Sequence, residues 1–124
     1  MSRPVGAVFH IPHGLSNAIL LKECLLFAMD GAVERFADIS RKIRKATMSD
    51  CDEDAAVAFL DALDQLCQVL HVPTLMEYGV NQQDFMNAIP KMARDAKASG
   101  SPDNTRKKIT TDDMETIYHK LLIK

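Results

Sequence analysis

The stretch HIPHGLSNAILL, His10 to Leu21, places two histidines three residues apart and then runs into a dense apolar series. The apolar series continues past Lys22 and Glu23 to about Met29. It shows no period-two alternation, and its length suits a helix that begins near His13 to Ser16. A helix that is apolar nearly all round belongs in an interior, so this one is expected at the centre of the fold. Pro12 biases Ile11 toward an extended backbone. With Pro4 and Gly6 it makes residues 1–12 an irregular lead-in.

Helical spacing recurs along the rest of the chain. Asp30-Gly31 punctuates the first helix, and a second covers about Ala32 to Arg44, with Val33, Phe36, Ala37, Ser40 and Ile43 on one face. Arg41, Lys42 and Arg44 suit the negative end of its dipole. Ser49 offers an N-cap for a third helix reaching about Leu70, led by Asp50, Asp52 and Glu53. Ala56, Phe59, Leu60, Leu63, Cys67 and Leu70 would face inward, and Pro73 prevents continuation. TLMEYG, Thr74 to Gly79, has capping-box spacing and a glycine stop. Asn81 caps a segment carrying Phe85, Met86 and Ile89, which Pro90 interrupts before a further helix, Pro90 to Ala98. SGSPDN is a turn-rich loop, and a last helix follows Thr110 or Thr111 with Met114, Ile117, Tyr118, Leu121 and Leu122 inward. The sum is an all-α, multi-helix bundle, a single helical domain over residues 1–124.

Composition excludes several classes. The 124 residues are 47% hydrophobic and 26% charged with net charge −2, which gives no strong pull toward nucleic acid. The basic runs RKIRK (Arg41 to Lys45) and TRKKI (Thr105 to Ile109) are flanked by acids and read as solvated helix ends and loops. The longest apolar stretch is broken by Lys22 and Glu23 and is too short to span a membrane. The N-terminus lacks the apolar core of a signal peptide. Three cysteines, Cys24, Cys51 and Cys67, form no CxxC pair. Cys24 and Cys67 fall in apolar stretches, Cys51 among acids, and a reducing cytoplasmic setting follows.

Four histidines are candidates for chemistry. His71 stands at a helix end before Val72-Pro73, where terminal carbonyls are its natural partners. His119 lies beside Lys120 in the last helix, on the solvent side. His10 and His13 remain. Pro12 between them breaks helical i,i+3 geometry, so they are either a polar pair at a loop-to-helix junction or part of a metal site. A histidine set between Pro12 and Gly14 at the head of an apolar helix would be held rigidly, as a metal ligand needs.

The run RPVGAVFHIPHGLSNAILL, Arg3 to Leu21, resembles the second signature of the iron-dependent, group III alcohol dehydrogenases. Gly6, Pro12, His13, Gly14, Asn17, Ala18, Leu20 and Leu21 carry the likeness. ERFADIS, LHVPTLMEYGVNQQDF and SGSPDNTRKKITTDDMETIY resemble later segments of the same family, so the likeness spans the chain. It covers only the last third of a family member. The resemblance implies a two-domain enzyme: an N-terminal α/β domain binding NAD(P) through a glycine-rich motif, and a helical domain holding Fe²⁺, or Zn²⁺ in some relatives, through one Asp and three His.

His13 falls on the last of those ligand histidines. The preceding ligand would lie just upstream of Met1, and Arg3 stands where many members have a non-ligand active-site histidine. Lys22 and Glu23 replace the common Pro-His, Asn104-Thr105-Arg106 replaces Asn-Pro-Arg, and Asp95-Ala96-Lys97 stands where some members have Asp-Ala-Cys beside the substrate pocket. In the complete enzyme the resemblance implies hydride transfer between a small-molecule alcohol or aldehyde and the nicotinamide, with the metal as Lewis acid. For this chain it implies a C-terminal fragment, inactive alone, whose partner is the missing nucleotide-binding domain or further copies of itself. The alternative is a stand-alone helical interaction module that uses the face left open by the missing domain.

Overall fold

The computed structural model describes residues 1–104 and 107–123. Seven α-helices are described and no strand. They are α1 (Ser2–Phe9), α2 (His13–Ala28), α3 (Val33–Lys42), α4 (Asp52–Val69), α5 (Leu75–Tyr78), α6 (Gln82–Ala98) and α7 (Thr111–Lys120). Short 3-10 turns occupy Met29–Gly31 and Ser101–Asn104. The all-α bundle expected from the spacing is therefore the fold. Thr105 and Arg106, the middle of the C-terminal NTR–KK segment, lie outside the described residues.

Residues 1–12 are not irregular, because α1 fills most of them. Pro4 is the third residue of that helix, where its missing N–H would have had no intrahelical acceptor, so it does no damage. Pro4 and Val5 are buried. The helix ends at His10 in the left-handed region (φ 56°), and the chain turns back through Ile11, itself 3% exposed. Gly6 permits that return: a Cβ there would stand 2.9 Å from the Ile11 carbonyl oxygen.

Pro90 does not split its segment either. Helix α6 runs through it, carried by a buried stripe of Phe85, Ile89, Met92, Ala93 and Ala96. Pro90 is exposed, so the Met86 carbonyl that loses its N–H partner can turn to water. At the head of α4 the cap is Cys51 rather than Ser49: its Sγ accepts from the Asp54 N–H at 3.5 Å. Ser49 is engaged one turn earlier, with Thr47. Thr74–Glu77 and Thr110–Asp113 both form complete capping boxes, and Gly79 (φ 103°) stops α5 as its position suggests.

Helix α2 touches α1, α4 and α7 and is central in that sense. It is not wholly buried. Ser16, Leu20, Glu23 and Ala28 face inward, while His13, Gly14, Asn17 and Leu21 are open on another side. The main core gathers Val5 and Leu20 around Phe85, Ile89, Met114 and Tyr118. Phe85 stacks at 5.4 Å from Phe9 and meets Tyr118 edge-on at 6.1 Å. A smaller cluster of Ala32, Phe36, Ala56 and Leu60 joins α3 to α4. The far end of α4 leaves this cluster, and Leu70, expected inward, is 64% exposed.

Candidate metal centre

His13 is the first residue of α2, and it is exposed. Pro12 precedes it at φ −52° and ψ 142°, a conformation the pyrrolidine ring favours, and fixes the direction in which the helix starts. The Pro12 carbonyl accepts the Ser16 N–H at 2.9 Å, and the buried Ser16 hydroxyl donates to the Ile11 carbonyl at 3.4 Å. The head of the helix is thus tied down while the imidazole stays accessible. One turn on, the Asn17 side-chain amide lies 3.3 Å from His13 Nε2. This partner was not read from the sequence, although the i,i+4 spacing is the signal that would have found it.

The face carrying His13, Asn17 and Leu21 borders a hollow of about 370 Å³ lined by Met1, Ser2, Asn17, Leu20, Leu21 and Cys24. Burial raises the Cys24 thiol above its ordinary range; the nearby amino terminus opposes that rise and the Glu23 carboxylate adds to it. Cys24 is therefore a poor thiolate donor at neutral pH. Behind it, Tyr118 donates its hydroxyl to the Met1 carbonyl at 2.7 Å. Burial holds that phenol protonated far above the usual range, helped by Cys24 and Asp95.

Among the described residues, no group of three or more His, Cys, Asp and Glu side chains converges to hold a metal ion. His10 occupies the C-cap of α1 and does not complete a donor set with His13. His71 and His119 are exposed at other helix ends; the closing bond at His71 comes from its backbone N–H to the Gln68 carbonyl, at 3.1 Å. Lys22 pairs with Asp64 at 3.2 Å across the α2–α4 contact, and Lys97 pairs with Asp103 at 2.8 Å, so neither cation faces His13's site unpaired. Arg3 is exposed on α1. The residues present therefore offer one accessible imidazole, and do not by themselves fit a bound ion, whose affinity needs several preoriented donors. Nor do the described residues contain a strand-to-helix unit for a dinucleotide.

Comparison with known proteins points one way. Residues 1–122 match the family described as Fe-containing alcohol dehydrogenase family, C-terminal. The chain is 30% identical over 119 residues to the NADPH-dependent butanol dehydrogenase of Clostridium saccharobutylicum, covering 95% of this chain and 30% of that protein. It is 29% identical over 120 residues to the lactaldehyde reductase of Escherichia coli (strain K12), covering 96% of this chain and again 30% of that protein. The crystal structure of a 1,3-propanediol oxidoreductase superposes with a TM-score of 0.87 at 24% identity, over 97% of this chain and 31% of that one, a likeness of fold. This chain thus spans somewhat under a third of the length of the relatives it matches.

Proposed function

This chain belongs to the Fe-containing alcohol dehydrogenase family, and we propose that it serves as the helical, metal-binding end of an enzyme interconverting alcohols with aldehydes or ketones. The observation that carries the proposal is His13: within a family match over residues 1–122, it stands exposed and anchored at the first residue of α2. Its imidazole supplies one ligand to Fe²⁺ or Zn²⁺, a donor type that suits both ions. An ion bound there would polarise the substrate oxygen. The other donors come from residues of the enzyme outside 1–124 and the NAD(P) site from its nucleotide-binding domain, while residues 1–124 form a single helical domain. Asn17 and Leu21 then line the side of the cleft that this chain contributes. The substrate is a small alcohol or aldehyde, the setting the cytosol, and the assembled enzyme a homo-oligomer. The family match favours this reading over a stand-alone interaction module.

The test fuses this chain to the upstream two thirds of the clostridial relative and measures metal content, metal affinity and NADPH-linked aldehyde reduction. The chain alone should bind neither ion tightly and reduce nothing. The fusion should hold one ion per subunit, and His13→Ala should weaken that affinity about 100-fold or more. A His13→Ala fusion that keeps metal at unaltered affinity would remove His13 from the site.

A further inference from the structure

The connection between α3 and α4, residues 43–51, carries RKATMSD, Arg44 to Asp50. We infer that Thr47 is a phosphorylation site for a basic-residue-directed serine/threonine protein kinase. Arg44 and Lys45 stand three and two residues before its hydroxyl, and Met48 follows it at once. A kinase cleft lined by carboxylates selects cations at such offsets by charge, and rejects acids there. Ser49, two residues on, has Ala46 at the first offset and Asp50 immediately after it, and so lacks the pattern.

The structure makes the segment presentable. Arg44 leaves α3 in the left-handed region (φ 61°), which breaks the helix before the acceptor. Lys45, Thr47, Met48 and Ser49 are exposed, Met48 at 87%, so an apolar side chain is displayed where a kinase would take it up. No residue from 41 to 54 is buried, so lifting residues 44–50 into an extended form leaves both apolar clusters in place. The segment's polar bonds make a short turn: Asp50 Oδ2 accepts from the Thr47 N–H at 2.8 Å and from its hydroxyl at 3.3 Å. Arg41 holds the turn from outside, donating Nε to the Thr47 carbonyl at 3.2 Å and Nη2 to the Asp50 carbonyl at 2.8 Å and to Asp52 Oδ1 at 2.9 Å.

In the transfer, Thr47 Oγ1 forms a bond to the γ-phosphorus of a nucleoside triphosphate. The bond from that phosphorus to the β,γ-bridging oxygen breaks, the nucleoside diphosphate leaves, and the hydroxyl proton passes to the kinase's own base. The product carries about two negative charges beside Asp50, which repel its carboxylate and open the turn. Arg41, already bonded to the Thr47 carbonyl, re-pairs with the phosphate, giving up Asp52 at the first residue of α4.

The experiment treats the full chain with Mg-ATP and the catalytic subunit of such a kinase, locating phosphate by intact mass and fragment sequencing. One phosphoryl group on Thr47 is expected, with none on Thr47→Val. Arg44→Ala should lower the initial rate about tenfold or more, the worth of one charge-assisted contact. The phosphorylated chain should exchange backbone hydrogens faster over residues 47–54, with α6 and α7 unchanged. No incorporation while a control peptide is phosphorylated, phosphate on Ser49 instead, or an Arg44→Ala rate equal to that of the parent would each overturn the proposal.

Discussion

Gly6 sits where α1 and the chain returning from it come closest. Alanine there would bring a helix preference of up to about 1 kcal/mol. It would also drive a Cβ to 2.9 Å from the Ile11 carbonyl oxygen and 3.4 Å from Ser16 Oγ. A backbone atom cannot swing aside, and overpacking of this kind costs about 1–3 kcal/mol. Gly6→Ala is therefore expected to lower the urea midpoint with the slope unchanged. Gly14→Ala, with nothing within 4 Å of the new Cβ, should leave the midpoint where it is or raise it slightly. The opposite outcome at either glycine would mean that the turn at Ile11 is looser than described. At this scale the sequence says that glycine stands at both positions without saying which one is obligatory. That depends on an atom five residues away, reached only through the left-handed turn at His10.

Helix ends with a capping partner three residues away were legible, although the cap of α4 is Cys51 rather than Ser49. Thr74 with Glu77, and Asn81 ahead of α6, act through partners three residues away, and short-range bonds of this kind survive in any fold. Pro4 misled because it falls on the third residue of α1, where its N–H would have had no intrahelical acceptor, and Pro90 because a local rule was overruled by the Phe85-to-Ala96 stripe meeting the main core. The cap of α7 also sets a pH dependence. Asp113 accepts from the Thr110 N–H at 2.9 Å and from its hydroxyl at 3.0 Å. These bonds, the backbone one foremost, hold its carboxyl below the ordinary carboxylate value. A depressed carboxyl stabilises the folded chain at pH values above the unfolded one, about 4, and loses that contribution as pH falls through the lower folded value. The first turn of α7 should therefore fray below about pH 4, seen as line broadening and exchange at the Asp112 and Asp113 amides. Asp113→Asn should weaken the cap at neutral pH and flatten the acid response, and a variant with the parent's full response would assign the effect elsewhere.

Among the described residues, two unequal apolar clusters hold the molecule. The larger draws on α1, α2, α5, α6 and α7, and the smaller, centred on Phe36 and Leu60, joins α3 to α4. A region with fewer buried apolar groups opens at lower cost. In hydrogen exchange under native conditions, α3 and α4 should lose protection before α6 and α7, and simultaneous loss would mean that the two clusters open as one. The all-α class was readable because helical spacing repeats in every long segment. The candidate site was readable only through PHG and the residues around it. His13 can be singled out from its neighbours, but no set of donors around it can, since no three metal donors converge among the described residues.

The bond from Tyr118 to the Met1 carbonyl joins residues 117 positions apart, and Val5 shares its core with Phe85 and Tyr118. Order of synthesis therefore matters. A ribosome releases α1 and α2 long before α6 and α7 exist, so the apolar sides of Val5, Ile11 and Leu20 travel uncovered while most of the chain is made. The cluster that joins α3 to α4 can settle early, because it needs no later residue. Closure of the main core waits for α7, the last helix described, and a nascent chain stalled before Thr111 would be a ready client for chaperones.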